Sequence, residues 1–428
     1  MKYFFILGKN PTLSLAEIAV VLNLKPEQIL FLSEKAAVIE ISAELDAKNL
    51  IKKVGGTIKI GVINDQLSMT NFQSMANFLM ANIKNNNTSG KFNFGFSYYG
   101  PYQTYGRTGK HKKFDEKKIG MEIKSELKEQ GINSRWVTSK EEVLSSVVVE
   151  QNKLTTEQGK EIVIIDGGQQ QYAGHTIAVQ PFKDLSKRDY GRPGRDDFSG
   201  MLPPKLAQIL INLAVNTDGH RFITDEHRSR IILLDPFCGS GTILTEAALM
   251  GYQKLIGCDA SQKAVEDTRK NFQFTISNFQ SIFNKSISND AVKLFQCKVE
   301  NLNQKVKLNS VNVIVTEPYL GPSRKKNDKE TIKKIIKELE ELYYQAIKQF
   351  EKALKNNGRV AMIWPVFKAR DTVFLSAKNI LGNSNFKIVN PLPNFGKENI
   401  IKLTNRNTIV YGREGQRVWR EVIILEKR

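Results

Sequence analysis

Cysteine, histidine and long apolar runs are all scarce in this chain of 428 residues. The three cysteines, Cys238, Cys258 and Cys297, form no C-x-x-C pair. The four histidines, His111, His175, His220 and His227, complete no set with zinc spacing, so no metal site is expected. All three cysteines stand in apolar or strand-like runs and read as buried thiols of a reducing compartment. The N-terminus, MKYFFILGKN, has only a five-residue apolar run, too short for the core of a signal peptide. No stretch approaches the ~20 apolar residues of a membrane helix. The expectation is a soluble, cytoplasmic protein with no membrane partner.

Acidic charge is also in deficit. Asp and Glu total 44 against 63 Lys and Arg, a net charge of +19. A polyanionic partner is the simplest explanation, although an AT-rich genome would enrich Lys and Asn by codon usage alone. Hydrophobic residues at 41% and charged residues at 25% suit a globular chain of about two to four domains.

Residues 1–85 alternate short strands and helices, the rhythm of a small α+β unit of ferredoxin-like type. Strands are expected over 3–7, 37–41 and 57–64, and helices over 11–22 and 45–54. Residues 86–180 supply a strand over 91–99, a basic glycine-bearing loop and a helix over 116–130. Further strands are expected over 145–150, 161–166 and 175–180. The loop carries Arg107, Lys110, Lys112 and Lys113 beside Tyr98, Tyr99, Tyr102 and Tyr105, a composition that suits RNA phosphates and unstacked bases. Residues 181–204 are polar and rich in Gly, Pro and Arg, and read as a connector. From 205 to 428 the pattern becomes strand–helix repeats, implying a parallel sheet, and ends in an antiparallel hairpin over 408–425. The apolar positions Ile332, Ile335, Ile336, Leu339, Leu342, Tyr343, Ile347 and Phe350 mark the core face of a long helix.

The strongest motif is IILLDPFCGSGTILTEAA, residues 231–248. A buried strand runs into Asp235, Pro236 and Phe237; Gly239, Ser240, Gly241 and Thr242 then open a helix. Glycines permit the tight turn and a close approach of backbone to ligand, and Asp235 would meet a cationic amine. The second strand ends at Asp259, followed by Ala260. Asp259 lies 24 residues after Asp235, near the spacing of a ribose-binding acid in such folds.

The string DPFCGSGT, then GCDAS, then a strand ending in TEPY, resembles the amino methyltransferases of RNA and DNA. The segments ILGKNPTLSLAEI and RDYGRPGRDDFSGMLPPKLAQILINLA resemble the THUMP-domain tRNA guanosine N2-methyltransferases, whose typical target is guanosine 10. The resemblance implies a Rossmann-like class I methyltransferase domain, an α/β sheet, over 205–428, and a THUMP-like RNA-binding domain over 86–180. It implies S-adenosylmethionine as cofactor and RNA, above all tRNA, as partner; it names no protein partner. Arg188, Arg192, Pro203 and Pro204 fall in the segment that covers the cofactor in these enzymes. Thr316, Glu317, Pro318 and Tyr319 take the place of the usual Asp/Asn-Pro-Pro-Tyr corner. Thr316 and the Glu317 carbonyl, or the Glu317 carboxylate turned inward, would accept from the target amine, and Tyr319 would stack on the base. Near the adenine ring, where relatives often carry an acid, Lys298 stands instead, leaving Val299 or Glu300 to serve. Two other readings remain open: a DNA adenine-N6 methyltransferase, and an RNA-binding homologue that keeps the cofactor cavity without turnover.

Overall fold

In a computed structural model of the protein, the described residues are 1–64, 72–85, 90–100, 103–104, 110–111, 115–141, 143–195, 201–215, 224–279, 281, 287–322, 329–369, 371–395 and 400–428. The chain divides into two compact units. One comprises Met1–Pro11, Pro26–Lys52 and Thr57–Phe182; the other comprises Thr12–Lys25, Lys53–Gly56 and Lys183–Arg428.

The first unit is built on strands β1 (Lys2–Leu7), β2 (Ile29–Leu32), β3 (Ala36–Glu40), β4 (Thr57–Ile63), β5 (Phe92–Tyr99), β6 (Gln103–Thr104), β7 (Lys110–His111), β8 (Ser134–Val137), β9 (Thr155–Thr156), β10 (Gly159–Asp166) and β11 (Gln171–Val179). Helix α1 (Pro11–Val21) precedes β2 but falls, after its first residue, in the second unit; α2 (Ala47–Leu50), α3 (Phe72–Asn85), α4 (Glu116–Glu129) and α5 (Ser146–Gln151) belong to the first. One sheet runs β2-β3-β1-β4-β11-β10-β5-β8, so strands from 1–85 and from 86–180 share it through the antiparallel β4–β11 pair. Strand alternation builds two layers: Ile162 and Ile164 pack with Met75, Leu79, Ile123 and Leu127 of α3 and α4, whereas Val163 and Ile165 pack with Phe4 and Val38. A polar knot sits inside this sheet. Lys59 Nζ lies 2.5 Å from Glu161, whose carboxylate also accepts from Ser97 and Thr176, both at 2.6 Å.

Two expectations are corrected in this region. Residues 145–150 are not a strand. Ser145 caps a helix turn by accepting from the Val148 N–H at 3.3 Å, and Val149 is buried against Leu144 and Leu154. Capping and burial outweigh the β-propensity of three successive valines. The helix expected over 45–54 shrinks to α2, capped by Asp46. Of the basic loop, Arg107, Lys112 and Lys113 lie outside the described residues, and Lys110 is described only as backbone of β7, paired with β6.

The second unit begins, after α1 and residues 53–56, with α6 (Phe182–Tyr190), α7 (Pro204–Ala214) and α8 (Asp225–Arg230). It continues through β12 (Ile232–Asp235), α9 (Thr242–Met250), β13 (Lys254–Asp259), α10 (Gln262–Phe279), β14 (Val292–Gln296), β15 (Val311–Thr316), α11 (Lys329–Ala353), β16 (Leu354–Lys368), β17 (Thr372–Phe374), α12 (Ala377–Leu381), β18 (Phe386–Ile388), β19 (Ile409–Tyr411) and β20 (Val418–Lys427). The sheet order is β14-β13-β12-β15-β16-β20-β18. Its first five strands are parallel, and β20 runs antiparallel between β16 and β18 while also pairing β19 as the expected hairpin. The strand order reverses between β12 and β15, the point where ligand crevices form in open α/β sheets. The core joins Leu234, Ile314, Val360, Trp364 and Ile423 of the sheet to Ile332, Leu339, Tyr343, Ile347 and Phe350 of α11, the expected stripe. Among the described residues no helix is long and apolar enough to cross a membrane.

The connector expected over 181–204 is not a loose linker. It contains α6, and two of its arginines, Arg188 and Arg192, are buried: Arg188 is bidentate to Glu246 at 2.6 and 3.0 Å. Gly194 exchanges hydrogen bonds with Asn271, whose amide also reaches the Ser240 carbonyl at 2.7 Å. Helix α1 and residues 53–56 join the same unit through Glu17. Its carboxylate, fully buried, accepts from the Gly55 and Gly56 N–H groups at 2.9 and 2.7 Å and from the Asn212 amide at 2.8 Å. Burial pushes the Glu17 carboxyl up to about 7, against the opposing pull of those three donors.

Candidate methyl-transfer site

The carboxyl ends of β12, β13, β14 and β15 surround a cavity of about 510 Å³. The first wall is the turn after β12. Gly239 and Gly241 adopt φ of +51° and +82°, and a Cβ on Gly241 would stand 2.7 Å from Thr268 Cγ2, so only glycine fits there. The turn is pinned by the Cys238 N–H on the Cys258 carbonyl, at 2.9 Å, and by the Thr268 hydroxyl on the Gly239 carbonyl, at 2.8 Å. It leaves the N-terminus of α9 open toward the cavity through Thr242, where free N–H groups and the helix dipole favour an anion.

Four carboxylates line this cavity, Asp235, Asp259, Asp267 and Glu317, and Asp267 is held by Lys263 at 2.5 Å. Asp235, 1% exposed, accepts from the Thr316 hydroxyl at 2.8 Å and from the Phe237 N–H at 3.2 Å. Burial pushes its carboxyl up to about 7; those two donors pull it down, and nearby Asp259 and Glu317 push it further up. Asp259 is half-buried and accepts from the Gly239 and Ser261 N–H groups at 3.0 and 2.9 Å. Glu317 faces Arg420 of β20, with Nε to Oε1 at 2.6 Å and Nη2 to Oε2 at 3.5 Å.

Most of the expected residues come together in this wall: Asp235, Pro236, Phe237, Gly239, Ser240, Thr242, Asp259, Ala260, Val299, Glu317, Pro318 and Tyr319. Three do not. Gly241 shapes the turn from behind. Glu300 is exposed and absent from the wall, leaving Val299 there. Thr316 is fully buried behind the wall, so its hydroxyl holds Asp235 instead of facing a substrate amine. Tyr319 is 53% exposed on the rim, its carbonyl accepting from the Tyr343 hydroxyl at 2.9 Å.

Sequence reasoning missed Arg420, 103 residues from Glu317 with no local signal linking them. It also missed Met201, Leu202, Lys263, Asp267 and Leu342 of the wall. Arg192 was named only as part of a covering segment. It is 6% exposed and donates through Nη1 to the Thr242 hydroxyl at 2.5 Å, while its Nε and Nη2 meet no acceptor among the described residues. A buried guanidinium with two unmet donors beside a helix N-terminus is complementary to a carboxylate. It stands behind Thr242, outside the wall, while the carboxyl groups of Asp235 and Asp259 lie in it; the wall thus offers acceptors for an ammonium and hydroxyls, and the α9 N-terminus offers donors for a carboxylate, the groups of an amino-acid nucleoside. Among the described residues no group of acids, histidines and cysteines is placed to hold a metal ion.

A family model described as the RMKL-like methyltransferase domain matches residues 192–379, and a second, described as DNA methylase of the N6/N4 kind, matches residues 24–270, more than half of the chain. The chain is 29% identical over 197 residues to a tRNA (guanine(10)-N2)-dimethyltransferase of Methanocaldococcus jannaschii, 45% of this chain and 47% of that protein. It is 31% identical over 186 residues to the same-named protein of Methanothermobacter thermautotrophicus, 42% of this chain and 45% of that one. It thus spans about half the length of the curated relatives it matches. Among solved structures, TrmN from Thermus thermophilus aligns over 100% of both chains with a TM-score of 0.51 and 16% identity, a likeness of fold.

Proposed function

The chain belongs to the N6/N4 DNA methylase family, and we propose that it transfers a methyl group to an exocyclic amine of an RNA base, N2 of a guanosine in tRNA. The observation that carries the reading is the single cavity with the glycine turn and Asp235 on one wall and Glu317, Pro318 and Tyr319 on another. S-adenosylmethionine, when bound, supplies the methyl group on its sulfonium. Asp235 would hold the methionine ammonium, the α9 N-terminus (with Arg192 behind it) its carboxylate, Asp259 the ribose hydroxyls, and Val299 the adenine face.

The chain's own chemistry then concerns the acceptor amine. An exocyclic amine is a poor nucleophile because its lone pair is shared with the ring. An acceptor aimed at its N–H favours the pyramidal form and stabilises the charge that develops during transfer. With Thr316 withdrawn behind Asp235, the Glu317 carboxylate is the side chain in the wall suited to that task, and it can take the amine's proton afterwards. Tyr319, exposed on the rim, offers a stacking face for an unstacked base. The net charge of +19 and the names of the curated relatives support RNA. The first unit is read as the RNA-gripping, THUMP-like part.

The test is incubation of the whole protein with labelled S-adenosylmethionine and either unmodified tRNA or duplex DNA, followed by digestion to nucleosides. Label in N2-methylated guanosine from tRNA is expected. Label in adenosine of DNA alone would favour the second reading, which the N6/N4 DNA methylase match supports. No label in any nucleoside would overturn both.

A further inference from the structure

We propose that the Glu317–Arg420 pair selects guanine among the amine-bearing bases, Glu317 as the group that reads the base edge and Arg420 as the residue that positions it. This rests on the reading that an exocyclic amine enters the cavity described above.

Glu317 stands where the chain leaves β15, in the cavity wall, with its side chain 13% exposed. Of its neighbours in the wall, Pro318 and Leu320 carry no side-chain hydrogen-bonding group and Tyr319 is 53% exposed on the rim, so the carboxylate is the charged group of that corner. A carboxylate has about four lone-pair sites and no donor. Arg420 takes one site on Oε1 at 2.6 Å and reaches Oε2 only at 3.5 Å. Acceptor capacity therefore remains, chiefly on Oε2.

The bases differ in what lies beside their amines. In guanine the N2 amine has the ring N1–H on one side and the N3 lone pair on the other, so the stretch from N1 to N2 presents two donors side by side. In adenine the N6 amine neighbours the N1 lone pair, and in cytosine the N4 amine neighbours the N3 lone pair. A group that only accepts matches that N1–N2 pair of donors, as a carboxylate does. Against adenine or cytosine one interaction becomes lone pair against lone pair in a partly desolvated site, an arrangement that costs more than a lost contact.

Arg420 lies on β20, the strand inserted antiparallel beside β16, and its side chain is itself only 15% exposed. A planar guanidinium fixes the carboxylate plane as a lysine would not. Its role is to aim Glu317; it is not placed against the base.

The experiment uses the full chain and synthetic tRNAs that carry guanosine, inosine, 2-aminopurine, adenosine or cytidine at the position wild type methylates. Inosine keeps N1–H without the amine, and 2-aminopurine keeps the amine without N1–H. Inosine tRNA should inhibit with a constant within about threefold of the guanosine KM, whereas kcat/KM for 2-aminopurine tRNA should fall about 10- to 100-fold, the range of a good bidentate contact. In Glu317→Gln, whose amide can also donate, the preference for guanosine over 2-aminopurine should shrink to less than about threefold. Arg420→Gln should lower kcat while preserving the order of preference. S-adenosylmethionine binding by calorimetry shows that each variant is folded. If Glu317→Gln keeps the wild-type preference, or if wild type methylates adenosine or cytidine as well as guanosine, selection by Glu317 is overturned while methyl transfer stands. If wild type modifies no RNA at all, the proposed function itself falls, and this inference with it.

Discussion

Asp235 is a carboxylate that burial holds near neutrality in the free protein, at about 7. An ammonium ligand binds its ionised form, so proton and ligand compete. Cofactor affinity should be about tenfold weaker at pH 6 than at pH 8, and Asp235→Asn should be weak at both. Calorimetric titration across that range checks this; a flat profile in wild type would refute it. The linkage to stability has the opposite direction. A carboxyl raised in the folded state contributes stability that is fully present below about pH 4 and is lost as pH rises through about 7. Glu17, also raised to about 7, adds to the same trend, so the Tm of the free protein should fall between pH 4 and pH 8 and recover on adding cofactor. Thr316→Val removes a donor that favours the charged form of Asp235, so the pH midpoint for cofactor binding should move upward. At this scale the sequence is legible where neighbours in the chain are neighbours in space: Asp235, the glycine turn and Asp259 all act within one strand–turn–helix–strand stretch. It was opaque at Thr316, whose position in the motif matches a substrate-facing acceptor although its hydroxyl finds Asp235 from 81 residues away.

The elements behave likewise. The switch of strand order at β12 and β15 opens the crevice, and the turn leading into α9 is its most constrained part. Gly241→Ala would place a methyl group 2.7 Å from Thr268 at a φ of +82°. The expected cost is about 1–3 kcal/mol of stability, read as a lower Tm, together with loss of cofactor binding. A variant with unchanged Tm and affinity would contradict that account. Period-3.6 apolar patterning revealed α11 because its buried face is long. Shorter elements escaped: α5 reads as a strand from its valines, and α6 reads as linker from its polar residues. The latter's Arg188 is buried only because Glu246 and Gln208 of the second unit meet there, which no local pattern records. The three-residue strands β17 and β18 are too short to show alternation.

For the molecule as a whole, a net charge of +19 predicts that tRNA binding weakens steeply with salt, log K falling linearly against log concentration as counterions are released. A salt-insensitive Kd would argue against phosphate contacts. Glu17→Ala would leave the Gly55, Gly56 and Asn212 donors buried without their acceptor, a loss on the order of 2–5 kcal/mol. Glu17→Gln should cost less and should remove that residue's share of the pH dependence. Deleting residues 1–25 should lower the Tm of the second unit itself, since α1 belongs to it. This bears on synthesis. Glu17 precedes Asn212 by 195 residues. At about 5–20 residues per second on the ribosome, the first helix waits roughly 10–40 s for its partner to be made. An early-born segment that must be kept from aggregating until a late one arrives is a natural client for chaperones, and a gene split between the two halves would need both products in the same place at once.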